Sequence, residues 1–128
     1  MILDASALVA AILDEEPALR VRQRIATASG VVAAAPTVLE AAIVLSSRMR
    51  IDARAKLAGF LEESGVEVIE FTARHYREAA AAWLRYGKGR HPAALNFGDC
   101  MAYAVARVSG LPLLYVGNDF AQTDIESA

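Results

Sequence analysis

Four acidic residues, Asp4, Glu40, Asp99 and Asp119, stand at positions in this 128-residue chain where a single cleft could collect them. Asp4 directly follows a β-prone run, and Glu40 lies in the first turn of a helix that follows a second such run. Asp99 opens the last long helix, and Asp119 follows the last β-prone run. Each also has an ordinary reading. Asp4 fits an N-cap, Asp99 complements the positive end of a helix dipole, and Thr37 with Glu40 fits a capping box. Asp119, in Gly117-Asn118-Asp119, fits a turn. Those readings treat the residues singly and leave their shared address unexplained. Converging carboxylates repel one another and raise one another's pKa, so such a cluster requires a compensating cation. An oxygen-only donor set suits Mg²⁺ or Mn²⁺ rather than Zn²⁺, and Mg²⁺ keeps waters and binds substrate phosphates. The chemistry indicated is phosphate-ester hydrolysis by metal-activated water.

The elements that must position these acids follow from the apolar pattern. Residues 1–3, 31–34, 66–71 and 113–116 are β-prone runs bounded by turn residues or by helical patterns. Helical spacing covers 5–13, 18–28, 37–49, 52–63, 72–86 and 98–109, with Pro17 suited to a first helical turn and Gly30, Gly65 and Gly110 as stops. Strands alternating with helices predict an α/β layered domain with a mostly parallel sheet, whose ligands bind at the carboxyl ends of the strands. The four acids fall at those ends. Residues 86–92, with two glycines and a proline, predict a loop shortly before Asp99.

Composition removes several function classes. Thirteen basic residues against fifteen acidic give a net charge of -2, so no chain-wide field draws polyanions, and nucleic-acid contact must be local. One cysteine, Cys100, builds neither a disulfide framework nor a cysteine zinc site and predicts a reducing, cytoplasmic setting. The longest uncharged run, 25–39, is short of a membrane span and contains Gly30 and Pro36. The opening Met1-Ile2-Leu3-Asp4 lacks the basic and apolar regions of an export signal, and a single domain over residues 1–128 is expected.

Four stretches in order carry a family resemblance: Met1-Ile2-Leu3-Asp4-Ala5-Ser6-Ala7-Leu8, Pro36-Thr37-Val38-Leu39-Glu40-Ala41, Asn96-Phe97-Gly98-Asp99-Cys100-Met101-Ala102-Tyr103-Ala104, and Leu113-Leu114-Tyr115-Val116-Gly117-Asn118-Asp119-Phe120-Ala121-Gln122-Thr123-Asp124-Ile125. Through them the chain resembles the PIN-domain ribonucleases, more closely the VapC toxins of type II toxin–antitoxin pairs. The resemblance implies a three-layer α/β/α PIN-like domain and Mg²⁺-dependent (or Mn²⁺-dependent) endoribonuclease activity. Asp4, Glu40 and Asp99 carry over as the acidic centre. The family's fourth position varies, and this chain offers Asn118 and then Asp119, of which Asp119 is assigned. Ser6 matches the hydroxyl of the family's opening pattern and is expected to support Asp4. Homodimers are implied, as is a VapB-type antitoxin that blocks the acidic site with a basic residue and through which alone operator DNA is bound.

Other features are read against that centre. No Ser-His-Asp or Cys-His arrangement is evident, as expected where water is the nucleophile. His75, beside Arg74 and Arg77, is read as part of a solvated helix face, whereas Lys88, Arg90 and His91, with Arg85, are candidate phosphate contacts for a single strand. The apolar segments 39–45 and 79–84 are expected to be buried on more than one side, against the core and a partner. A haloacid-dehalogenase-like phosphatase would need a second Asp where Ser6 stands, and a dinucleotide fold a glycine-rich loop after the first strand. The surviving alternative to an enzyme is a catalytically silent PIN scaffold that binds RNA or protein.

Overall fold

Short β-branched and aliphatic runs, too brief for helices, form the strands β1 (Ile2–Leu3), β2 (Val31–Ala34), β3 (Val66–Ile69) and β4 (Leu113–Leu114) of a computed structural model describing residues 1–128. They join in the order β3-β2-β1-β4, every neighbouring pair parallel. Parallel neighbours demand crossovers, supplied by α1 (Ala5–Leu13), α2 (Ala18–Thr27), α3 (Ala35–Met49), α4 (Arg54–Glu63), α5 (Ala73–Tyr86) and α6 (Phe97–Ser109). Side chains alternate across the pleat. Leu3, Val31, Ala33, Val66 and Leu114 therefore join Leu8, Val21, Leu45 and Leu57 in one core, while Ile2 and Leu113 join Tyr86, Tyr103 and Val105 in the other. The fold is the three-layer α/β/α arrangement. Truncating a fully buried leucine such as Leu3 or Leu8 to alanine would cost about 2–5 kcal/mol.

Several local expectations are revised. β4 stops at Leu114 because the next ladder donor, the Val116 N–H, goes to the Ser6 hydroxyl at 3.0 Å. Helix α3 starts at Ala35, with Ala34 as N-cap and Pro36 in the first turn, where a missing N–H is harmless. Thr37 is consequently a buried helical residue, and no capping box forms with Glu40, whose carboxylate stays free. His75 is buried rather than solvated: its Nδ1 accepts the Thr72 N–H at 3.0 Å and its ring lies 5.4 Å from that of Phe71. The apolar helical segments bury one face only. Ala41, Leu45 and Ala82 are covered, whereas Leu39, Ile43, Trp83 and Leu84 are exposed. No helix is long and apolar enough to cross a membrane.

Candidate active site

Each acid is held by a different local device. Asp4 follows β1 as the N-cap of α1, and its Oδ2 accepts both the Ser6 N–H at 2.9 Å and the Ser6 hydroxyl at 2.5 Å. That hydroxyl also accepts the Val116 N–H, while the Asp4 N–H donates to the Leu114 carbonyl at 2.9 Å. Ser6 therefore ties the Asp4 carboxylate to the end of β4. Asp99 sits in the first turn of α6 in a capping box: its N–H donates to Asn96 Oδ1 at 2.9 Å, and its Oδ2 accepts the Asn96 N–H at 2.8 Å. In both Asp4 and Asp99 the other carboxylate oxygen has no protein donor.

Glu40 reaches the same place from α3. Its carboxylate lies against Gly98, next to Asp99, so closely that a Cβ on Gly98 would fall 2.7 Å from Glu40 Cδ and Oε1. A side chain at position 98 would displace the Glu40 carboxylate, the far end of a flexible side chain, from this place. Asp119 heads a short 3₁₀ turn, Phe120–Gln122, without a side-chain capping bond. Two features set its position: Gly117 takes a φ of 111°, and the buried Phe120 packs 5.0 Å from the Tyr115 ring.

The electrostatics join these residues into one group. Burial pushes the Asp4 carboxyl up, its Ser6 bonds pull against that, and the Asp119 charge adds to the rise. Burial also pushes Asp99 up to about 6, opposed by the Asn96 N–H and reinforced by Asp4 and Asp119. Glu40 is raised by burial and by the charges of Asp4 and Asp99. No lysine, arginine or histidine offsets the charge, because every ion pair in the chain involves Asp14, Glu15, Asp52 or Asp124. The cleft is an uncompensated negative site. Its all-oxygen chemistry fits a hard divalent cation. Yet no three of these side chains stand close enough to grip one ion, so a cation would be held by fewer carboxylates and would keep several waters, as Mg²⁺ commonly does.

The remaining predicted residues flank this group. Asn118 is exposed and lines a separate hollow with Arg20, Arg24 and Ser127. The loop after α5 closes through the Lys88 N–H to the Leu95 carbonyl at 3.0 Å and the Leu95 N–H to the Tyr86 carbonyl at 2.9 Å, delivering the chain to Asn96 and Asp99. Within it Lys88 is exposed, Arg90 folds back over Trp83, and His91 Nδ1 accepts the Ala93 N–H at 3.1 Å beside Tyr86. Arg85 pairs with Asp124 at 3.0 Å. Three contributors, Asn96, Gly98 and Phe120, stood within the family stretches but were given no role of their own from the sequence. Asn96 carried a legible signal, the three-residue capping-box spacing to Asp99. Gly98 and Phe120 act through tertiary contacts.

Fold and site together define a class, and comparison with known proteins agrees: residues 1–126 match the PIN domain family. The chain is 51% identical over 127 residues to ribonuclease VapC36 of Mycobacterium tuberculosis, covering 98% of this chain and 91% of that protein. It is 40% identical over 125 residues to a ribonuclease VapC of Mycolicibacterium smegmatis, covering 98% and 97% respectively. This chain belongs to the PIN-domain family and, within it, to the VapC ribonuclease toxins. Among solved structures, the Mycobacterium tuberculosis VapC20 toxin, described as cleaving the sarcin-ricin loop, superposes with a TM-score of 0.81 at 18% identity, covering 99% of this chain and 97% of that one. A toxin–antitoxin complex from Klebsiella pneumoniae superposes with a TM-score of 0.70 at 17% identity, covering 96% and 92%. At such identities the likeness concerns the fold.

Proposed function

We propose that this chain is a Mg²⁺-dependent endoribonuclease toxin that hydrolyses RNA phosphodiester bonds at Asp4, Glu40, Asp99 and Asp119. The observation that carries this reading is the gathering of these acids, from separate elements and without a basic partner, at the carboxyl edge of a parallel sheet. Asp4 and Asp99 each present one oxygen while the other is fixed by Ser6 or Asn96, so both carboxylates are oriented before substrate arrives. A bound Mg²⁺, with Mn²⁺ as a substitute, supplies positive charge to the phosphate and acidifies the attacking water. Glu40, half-buried against Gly98, orients water on the open side, and Asp119 closes the loop edge. Lys88 and His91, on the loop that leads to Asn96, are the candidate phosphate contacts for a single strand.

The same cleft is complementary to a basic side chain of a VapB-type antitoxin, which would neutralise the acids and block substrate, and DNA would be reached only through that antitoxin. Leu39, Ile43 and Phe97 line a cavity of about 460 Å³ beside Glu40, and Phe97 is 81% exposed. This apolar face is the surface for a second copy of the chain, so Ile43→Asp should shift sedimentation to the monomer. The buried thiol of Cys100 accords with a cytoplasmic setting.

The deciding experiment incubates antitoxin-free chain with total RNA and Mg²⁺, beside Asp99→Asn and an EDTA control, and maps the new ends. Discrete internal cuts made only by wild type with metal are expected. Identical patterns from wild type and variant would refute the assignment of this centre. RNA held uncut by folded, metal-supplied protein would move the chain to the silent binding scaffold.

A further inference from the structure

We propose that Trp83 and Arg90 form a stacking platform for a base of single-stranded RNA beside the acidic centre, an inference that rests on the ribonuclease reading above. Trp83 lies in the last turn of α5 and is 43% exposed, a considerable apolar area to leave in water. The Gly87 backbone runs close beside it: a Cβ on Gly87 would fall against the Trp83 carbonyl oxygen, 2.6 Å from indole Cδ1 and 2.8 Å from Nε1. The Arg90 guanidinium carbon lies 4.9 Å from the ring centroid, and Arg90 Nε donates to the Leu84 carbonyl at 3.1 Å.

The charge on this arrangement is free. Arg22, Arg48, Arg54, Arg85 and Arg107 all face carboxylates, whereas Arg90 and Lys88 face none. A guanidinium held by a carbonyl and an aromatic ring keeps its net charge for a phosphate. The indole with its guanidinium offers a planar surface on which any base can stack, and Lys88 adds a second cation for the backbone. Connection completes the argument: the hydrogen bonds at Tyr86, Lys88 and Leu95 tie the loop that carries Arg90 to the residue preceding Asn96, whose backbone N–H holds Asp99.

Trp83 is the only tryptophan, so its own fluorescence reports occupancy. Full-length Asp99→Asn, with Mg²⁺ present, is titrated with a labelled single-stranded oligoribonucleotide of about ten nucleotides. Saturable quenching is expected. By anisotropy of the labelled strand, Trp83→Ala should bind roughly ten-fold or more weakly and Trp83→Phe should recover most of the loss. Arg90→Gln should lower the logarithmic salt dependence by about 0.7. Arg54→Gln, which removes a guanidinium committed to Asp52, should change nothing. Binding without quenching, or equal affinity in Trp83→Ala, overturns the platform. Should Trp83→Ala fail to fold, the quenching and Arg90→Gln still decide. Wild-type chain that cuts RNA without quenching refutes the platform alone, whereas quenching without any cutting by wild type refutes the ribonuclease reading alone.

Discussion

Replacing Asp99 by asparagine should abolish cleavage and at the same time stabilise the folded chain near neutral pH. The Asp99 carboxyl sits at about 6 against an ordinary value of 3.8, raised by burial and by the charges of Asp4 and Asp119. An acid whose pKa is higher folded than unfolded binds more protons in the native state, so its ionisation works against folding. The penalty is absent below pH 4, grows as pH rises from there to 6, and is complete above 6. Taken in full, the shift corresponds to about 3 kcal/mol. Screening by water in the half-open cleft reduces this to about 1–2 kcal/mol. Asparagine removes the charge and keeps an oxygen that can accept the Asn96 N–H, so the cap survives. For a chain of this length, 1–2 kcal/mol raises Tm by about 4–7 °C. The assay is calorimetric melting of both proteins from pH 4 to pH 8 in EDTA. The expected result is coincident melting at pH 4 and a gap favouring the variant that opens toward pH 6 and then stays constant. Added Mg²⁺ should narrow the gap by stabilising wild type more. A variant less stable at pH 8, or a gap independent of pH, would refute the claim that these carboxylates are held against mutual repulsion.

Further outcomes follow from the same contacts. Ser6→Ala removes the bridge between Asp4 and the Val116 N–H, leaving a part-buried donor unpaired. Melting should show a loss of about 1–3 kcal/mol, and cleavage should fall at least ten-fold. Gly98→Ala favours the helix by up to about 1 kcal/mol but overlaps the Glu40 carboxylate. Circular dichroism should therefore report an intact fold while the cleavage rate drops by a factor of ten or more. Tyr103→Phe deletes the 2.6 Å bond by which the phenol donates to Asp124. It should cost about 1 kcal/mol and speed amide exchange in residues 123–128, leaving the cleavage pattern unchanged.

Much of this molecule was legible in the order of its residues, because the signals concerned are local. Strand β2 falls on the expected residues, and Gly65 and Gly110 take the positive φ that ends a helix. The alternation of strands and helices sufficed for a parallel layered fold, since parallel neighbours admit no shorter connection. Asp4, Glu40, Asp99 and Asp119 could be named because each stands at a strand end or a helix start, and the ordered motifs carried the family. Local signals also misled. Thr37 and Glu40 have the spacing of a capping box, yet Pro36 lets α3 begin earlier, and burying Thr37 outweighs the cap. His75 has charged neighbours in sequence, but the turn at Thr72 points its ring inward, where it satisfies a backbone donor.

What the sequence determined by itself was the set of elements, the sheet's directionality and the chemical type of the site, because periodicity, turn residues and carboxylates are properties of neighbours along the chain. Only tertiary structure decided how those pieces meet: that Ser6 links Asp4 to β4, that Glu40 rests on Gly98, that Gly87 yields room to Trp83, and that α3 and α5 keep apolar faces in solvent. These contacts join residues far apart in sequence. Their existence depends on sheet order and close packing, which no local pattern encodes.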